Sequence, residues 1–274
     1  MTLLRHGRIA VGCGLLVTLV LAALGAPSLA PRNPLAQDLS RQLTAPSLPS
    51  TPLGTDHLGR DLLSRLLYGA RTSLLVGGTS VGLGGLLGGT LGVAAGYFGR
   101  WTDAVISLLT DALLSFPTLL LALAFVAVLG SGLANVVAAI ALATWPGVAR
   151  VMRGEVLRVR ALDFVTAALA SGASELRILW RHVLPNAWGP FAVVITLSVG
   201  GAMLSEASLG FLGLGVPPPA PTWGRIVGEG IMHMRTAPWA IAFGGLAIFL
   251  AVLAVSLLGE GLRDALTPRG RRQA

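Results

Sequence analysis

Few residues in this 274-residue chain are equipped for chemistry, and their spacing forms no familiar constellation. Asp56 and His57 are adjacent and could serve as acid and base or hold a metal. No second group of ligands accompanies them, so the pair reads as a turn carrying a satisfied histidine. Met232, His233 and Met234 are soft-metal donors, but three consecutive residues do not share one helical face, and no metal site is read there. Cys13 is the single cysteine, which excludes an internal disulfide and a cysteine metal cluster. The basic residues are all Arg, with no Lys anywhere. A Walker-type phosphate loop needs a Lys after its glycines to hold the β- and γ-phosphates, so this chain does not hydrolyse nucleotide. Ser/His/Asp, HExxH and paired-carboxylate arrangements are absent as well. The chain is read as a non-enzyme without a cofactor or metal of its own.

The elements that carry these residues are hydrocarbon-like. Hydrophobic residues make up 54% of the chain and charged residues 12%, against roughly a quarter charged in soluble domains. The long charge-poor runs identify a multi-pass membrane protein. They fall at Ile9–Pro31, Thr72–Gly99, Ala112–Ala149, Val183–Ser205 and Thr236–Gly259. A span needs about 20 apolar residues. The third run is too long for one, and Gly130, Ser131, Gly132 and Asn135 supply a turn in its middle. It is expected to be a tight helical hairpin, with Pro117 and Pro146 tolerated inside it. That makes six spans with both termini on one side.

Arg counts choose the side. With both ends in the cytoplasm, the inside holds Arg5, Arg8, Arg100, Arg150, Arg153, Arg158, Arg160, Arg177, Arg181, Arg263, Arg269, Arg271 and Arg272. The outside holds only Arg32, Arg41, Arg60, Arg65, Arg71, Arg225 and Arg235, as the positive-inside rule asks. The net charge of +8 is therefore explained by topology and anionic lipid, not by nucleic acid. Ser28-Leu29-Ala30 resembles a signal-peptide cleavage site, but Pro31 follows directly, and the run is read as a retained anchor. Residues 1–70 then comprise an anchor helix and an outer loop. Within that loop Leu62, Leu63, Leu66 and Leu67 form the stripe of an amphipathic helix, with Asp61 and Arg65 placed to pair four residues apart. Residues 71–274 form a core of five spans with a cytoplasmic loop at 150–186. The second span repeats Gly at four-residue spacing (Gly78/Gly82, Gly84/Gly88, Gly88/Gly92, Gly92/Gly96), which suits either packing inside the bundle or a subunit interface.

Two places remain for function. Glu206 lies about 20 residues into the fifth span, roughly 30 Å from its cytoplasmic end, where it is either a pathway or outer-gate residue or a simple interfacial carboxylate. The other place is a polar island at Asp163–Asn186. Leu162, Val165, Leu169 and Ala170 line one face of a first short helix, and Gly172 is placed to close it in the left-handed conformation. Ser174 is an expected N-cap, with Glu175 near the positive end of the next helix. Leu176, Leu179, Trp180, Val183 and Leu184 then follow at helical spacing, and Pro185 is expected to end that helix before the next span.

The island carries a resemblance. Thr166, Ala167, Ala168, Gly172, Leu184 and Pro185 stand in the spacing of the EAA signature of permease subunits in bacterial binding-protein-dependent ABC importers, with Thr166 where that signature usually has Glu. The strings `LGTDHLGRDLLSRLLYGARTSL`, `DALLSFPTLLLAL`, `ARVMRGEVLRVRALDF` and `EASLGFLGLGVPPPAPTWGRIVGEG` extend it along nearly the whole chain. They resemble the second permease subunit of the dipeptide/oligopeptide/nickel subgroup. The resemblance implies an all-α, six-helix permease bundle in the bacterial cytoplasmic membrane that forms half of a translocation pathway. It also implies a second homologous permease, two ATP-binding cassette ATPase subunits that use the ATP, and an extracytoplasmic solute-binding protein. The island would be the coupling helix that docks on the ATPase, and peptide is the expected solute class. A stand-alone channel or secondary carrier is the alternative. Against it, no internal repeat and no midplane charge is visible.

Overall fold

In the computed structural model, which describes residues 2–266, the backbone is helical almost throughout. Lipid offers no partner for a free N–H or C=O, so a spanning segment must satisfy its hydrogen bonds internally. α1 (Thr2–Leu24) is followed by the single turn α2 (Ala26–Leu29) and by an outer segment held by two isolated β-bridges, Ser47 to Thr51 and Thr55 to Asp61. Then come α3 (Leu62–Phe98), α4 (Arg100–Leu114), α5 (Thr118–Leu129) and α6 (Leu133–Arg160). α7 (Asp163–Ala170), α8 (Glu175–Ile178) and a π-helical turn (Leu179–Val183) lead into α9 (Leu184–Phe211). α10 (Trp223–Ile231) and α11 (Trp239–Leu266) complete the bundle. Arg269, Arg271 and Arg272 lie outside the described residues.

Three expectations are corrected. The amphipathic outer helix is not a separate element, because α3 runs unbroken for 37 residues from Leu62. Asp61 does not pair with Arg65. It caps α3, its Oδ2 accepting from Ser64 N at 2.8 Å and Ser64 Oγ at 2.7 Å, which satisfies donors that a helix start leaves orphaned. The hairpin's turn does fall at Gly130–Gly132, but its first arm is only α5, 12 residues long. At about 1.5 Å per residue that arm is too short for roughly 30 Å of hydrocarbon. The crossing is a broken pair, α4 and α5, bent by 96°. Pro117 causes the break: its ring drives the preceding residue out of the α region, so α4 ends by Ser115 and α5 starts after the proline.

Small residues set the packing and reveal the direction of each helix. A Cβ on Gly84 would meet Ala141 O at 2.9 Å, on Gly88 Trp145 O at 2.4 Å, on Gly92 Ala149 O at 2.6 Å and on Gly96 Arg153 O at 2.8 Å. Both numbers rise together, so α3 and α6 run parallel with their backbones in close contact, as small-residue stripes permit. Two parallel neighbours require an intervening return, and α4 with α5 supplies it. A second row, Gly77, Gly85 and Gly89, receives Met203, Ile195 and Phe191, whose numbers fall, so α9 is antiparallel to α3. Gly200 meets Val252 while Gly259 meets Leu197, and Gly12 meets Ala254 while Gly261 meets Ile9, so the numbers run oppositely and α11 is antiparallel to both α9 and α1. The result is six crossings with both ends on one face. Gly78 and Gly82 have nothing within reach. The stripe thus serves bundle packing on two rows and leaves a third row open.

Candidate functional site

The elbow, residues 163–185, is built on a tight helix stop. α7 ends in a Schellman arrangement: Ala173 N donates to Ala168 O at 3.1 Å and Gly172 N to Leu169 O at 3.0 Å. The arrangement needs a residue at positive φ, and Gly172 has φ 78°. Ser174 occupies the N-cap position of α8, but its side chain makes no capping bond.

The elbow has two faces, and the split differs from the single apolar face read from spacing. Val165, Ile178, Leu179 and Val183 are buried against Tyr97, Met152, Val156 and Val159 at the C-terminal ends of α3 and α6. Burial of this kind stabilises by about 1.5–3 kcal/mol per side chain. Tyr97 Oη donates to the Glu175 carbonyl at 2.5 Å, and Arg160 lies 4.9 Å from the Tyr97 ring centroid while donating to the Tyr97 carbonyl. Leu176 (63% exposed) and Trp180 (69%) point the other way, with Phe164 and Leu169 also exposed. Thr166, Ala167, Ser174 and Pro185 are exposed too, while Ala168 and Leu184 are half-buried. Leu162, Leu169 and Ala170 are exposed, so Val165 alone of the expected α7 face is inward.

Pro185 does not end the helix as expected. The chain is helical from Glu175 to Phe211. Leu184 N donates to Leu179 O, the wide i+5 register of a π-turn. That wider turn accommodates a proline that has no N–H to offer and would crowd a regular turn. The two faces follow ordinary helical spacing: Leu176 and Trp180, four apart, face outward, and Leu179 and Val183, four apart, face inward.

At the outer end, Glu206 is 1% exposed and sits inside α9, not at an exposed interface. Its Oε2 accepts from Ser73 Oγ at 2.9 Å, and Ser73 Oγ also accepts from Trp223 N at 3.3 Å. One carboxylate thus ties α9, α3 and the start of α10 together.

Sequence reading missed a buried charge cluster above this tie. Glu229 on α10 accepts from Arg60 at 2.7 Å, Arg65 at 2.8 Å and Arg225 at 2.8 Å, and Arg60 and Arg65 also both bind Asp56. Burial pushes the Glu229 carboxyl up, but Arg65, Arg225 and Arg60 outweigh it and hold it at about 2. His57 stacks on His233 with ring centroids 5.7 Å apart. Burial lowers its pKa below the ordinary value against the pull of Asp56 and Glu229. Asp56, His57 and Glu229 bring ligand atoms within 4.8 Å of one another. Both carboxylates already face guanidiniums, so a cation would have to displace them, and the cluster is an ion-pair network. The i,i+4 spacing of Asp56 with Arg60 and of Arg225 with Glu229 was the one local signal, but nothing announces that the two halves meet, since Arg65 and Glu229 are 164 positions apart.

A groove of about 750 Å³ runs between α3 and α9 near the elbow, lined by residues including Gly82, Gly85, Leu86, Trp180 and Trp188.

Residues 88–272 match the family described as "Binding-protein-dependent transport system inner membrane component". The chain is 42% identical over 259 residues to a dipeptide transport system permease protein, DppC, of Alkalihalophilus pseudofirmus, covering 94% of this chain and 85% of that one. It is 45% identical over 276 residues to the di/tripeptide permease DppC of Pseudomonas aeruginosa, covering 98% and 91%. It is 45% identical over 216 residues to the glutathione permease GsiD of Escherichia coli, covering 79% and 71%. Among solved structures, an inward-facing MetNI methionine ABC transporter chain superposes with a TM-score of 0.61 at 18% identity, over 74% of this chain and 96% of that one, a likeness of fold.

Proposed function

Because the chain belongs to the family of binding-protein-dependent transport system inner membrane components, multi-pass permease subunits of bacterial ABC importers, we propose that its elbow is the joint through which a separate ATPase drives transport. The observation that carries this is the two-faced elbow. One face is locked onto the ends of α3 and α6, while Leu176 and Trp180 stand exposed on the cytoplasmic side with no partner among the described residues. Thr166 removes one carboxylate from that surface, while Asp163, Glu175, Arg177 and Arg181 remain exposed around the apolar pair.

The remaining parts of the assembly follow from the same premise. Two ATPase subunits supply the nucleotide chemistry that this chain lacks. A second, homologous permease completes the pathway, and the open row of Gly78 and Gly82 beside the apolar groove suits its close approach. α1 is retained as an anchor, supported by its packing along α11. An extracytoplasmic binding protein delivers the solute. The solute is a short peptide or a peptide-like molecule such as glutathione, in keeping with what the similar permeases are named for.

The test is the importer reconstituted in proteoliposomes with Leu176→Asp and Trp180→Asp together. Both side chains are exposed, so insertion and folding are expected to be unchanged. Transport should fall at least about tenfold, the equivalent of some 1.4 kcal/mol of lost contact, and ATPase activity should no longer respond to loaded binding protein. Gly172→Val, which forces a β-branched residue to positive φ at a cost of about 1–2 kcal/mol, should uncouple in the same way. Full coupled transport in both variants would sink the proposal.

A further inference from the structure

A second cavity, of about 800 Å³, opens at the outer end of the bundle, away from the elbow and the ion-pair cluster. It lies between the α2 turn, the segment 30–35, the third turn of α3 and residues 219–221. Its polar lining is one-sided. Arg32 and Arg71 both border it, no Asp or Glu does, and among the described residues neither guanidinium is in an ion pair. Other arginines of this chain also lack a carboxylate partner among the described residues, but here two of them, Arg32 and Arg71, border one cavity whose lining holds no acid, and that convergence suits an anion.

The depth of the cavity says which anion. α3 is 37 residues long, about 55 Å at 1.5 Å per residue, against roughly 30 Å of hydrocarbon. Its charge-free part begins at Thr72, one residue beyond Arg71. Arg71 therefore stands at the boundary where headgroups lie, the level at which Tyr and Trp also concentrate. Tyr68 is there, with the Arg71 guanidinium 5.9 Å from its ring centroid, which keeps the charge aimed along the helix surface. The opposite wall is pinned, since Arg32 N donates to Ser64 Oγ at 3.1 Å. At the same end of the bundle Leu21, Leu24 and Leu29 are exposed on α1 and α2, and Leu35 lines the cavity, so apolar surface adjoins the two guanidiniums.

We propose that this cavity binds the headgroup of an anionic phospholipid of the outer leaflet, with Arg32 and Arg71 forking its phosphate from two sides. A guanidinium matches a phosphate bidentately, and the cavity lies within the 300–1,000 Å³ range of ordinary ligand sites.

The test uses the intact importer in zwitterionic nanodiscs, to which phosphatidylglycerol, phosphatidylcholine or inorganic phosphate is added. The lipid retained by the complex is read by native mass spectrometry and stabilisation by thermal unfolding. Phosphatidylglycerol should be retained about tenfold over phosphatidylcholine, on the scale of a lost charge-assisted pair. Arg32→Gln with Arg71→Gln should abolish that preference. Arg32→Lys with Arg71→Lys keeps the charge without the fork and should weaken the preference without abolishing it, which separates loss of the site from loss of the fold. Arg235→Gln, an exposed outer arginine that does not line the cavity, should leave the preference unchanged. Equal retention of the two lipids, an unaltered preference in the double Gln variant, or the same loss in Arg235→Gln would overturn the proposal. Stabilisation by free phosphate equal to that by phosphatidylglycerol would also overturn it, assigning the site to a soluble anion. None of these readouts depends on transport, so they stand or fall apart from the elbow.

Discussion

At the scale of single residues, the outer charge cluster is where the largest energetic consequences sit. Arg65 is 2% exposed and answers both Asp56 and Glu229. Removing one partner of a buried pair leaves the other charge uncompensated, a loss of about 3–5 kcal/mol. Arg65→Met is therefore expected to unfold far more readily in a detergent-denaturation titration, while Arg41→Met, at an outer arginine bound to neither carboxylate, should not. The pH dependence has a definite sign. Glu229 titrates lower when folded, at about 2 against an ordinary 4.5, so its stabilisation is complete above 4.5 and disappears as pH falls toward 2. His57 also titrates lower when folded, from 6.5, and likewise loses stabilisation on acidification below that value. Both groups make the outer cap weaker in acid, and Glu229→Gln should flatten the thermal-stability profile between about pH 2 and 4.5. Little of this was legible in the sequence. Asp61 and Arg65 were spaced for a helical pair, but the capping demand of Ser64 N took the carboxylate, and the true partners were Asp56, nine residues upstream, and Glu229 on a distant helix.

At the scale of elements, hydropathy located the spans well and their ends poorly. A charge-free run cannot show that Pro117 breaks it, and a run that begins after Arg71 cannot show that its helix starts ten residues earlier. The glycine stripe was visible, but not which row does what, because that depends on a neighbour the sequence does not identify. The structure turns the stripe into an experiment. Gly88→Val or Gly92→Val would drive a side chain into α6 backbone at 2.4–2.6 Å and should destabilise the isolated chain, by about 1–3 kcal/mol or more as overpacking does. Gly78→Val and Gly82→Val meet nothing and should leave it folded. If the second permease packs on that row, the latter pair should instead reduce recovery of the heteromeric complex. Unfolding of the chain and co-purification of the complex read the two effects separately. In the elbow, the glycine stop at 172 was legible because positive φ has a residue preference. The division of its apolar residues into an inward pair, Leu179 and Val183, and an outward pair, Leu176 and Trp180, was not, because all four are apolar and only the neighbouring helix ends decide which pair is covered.

At the scale of the whole molecule, the parallel course of α3 and α6 fixes the topology more firmly than any count of arginines. Two adjacent helices pointing the same way oblige α4 and α5 to carry the chain back across, and an even number of crossings returns the C-terminal end of α11 to the side of α1. Site-directed labelling checks this. In a Cys13→Ser background, Ser50→Cys should react with an impermeant maleimide in whole cells, and Ser171→Cys should react only after permeabilisation. Labelling of Ser171→Cys in intact cells would invert the bundle and remove the elbow from the reach of an ATPase. The all-helical class, the six crossings and the family resemblance could be read from the chain alone. The outer tie, and the contacts of Arg60 and Arg65 with Glu229 that join the cluster's two local halves, arise between segments more than a hundred residues apart, and no local pattern records them.

The unbroken course from Glu175 to Phe211 has a mechanical corollary. Its inner tip bears Trp180 and its outer tip bears Glu206, which grips Ser73 and, through it, the first residue of α10. The two membrane faces are thus served by one connecting rod about 55 Å long, with no flexible linker to soak up a stroke. Two points along it can give, the five-residue wide turn beside Trp180 and the interior Pro190, where a backbone hydrogen bond is missing, so any displacement that passes them must arrive at the Glu206–Ser73 tie in step.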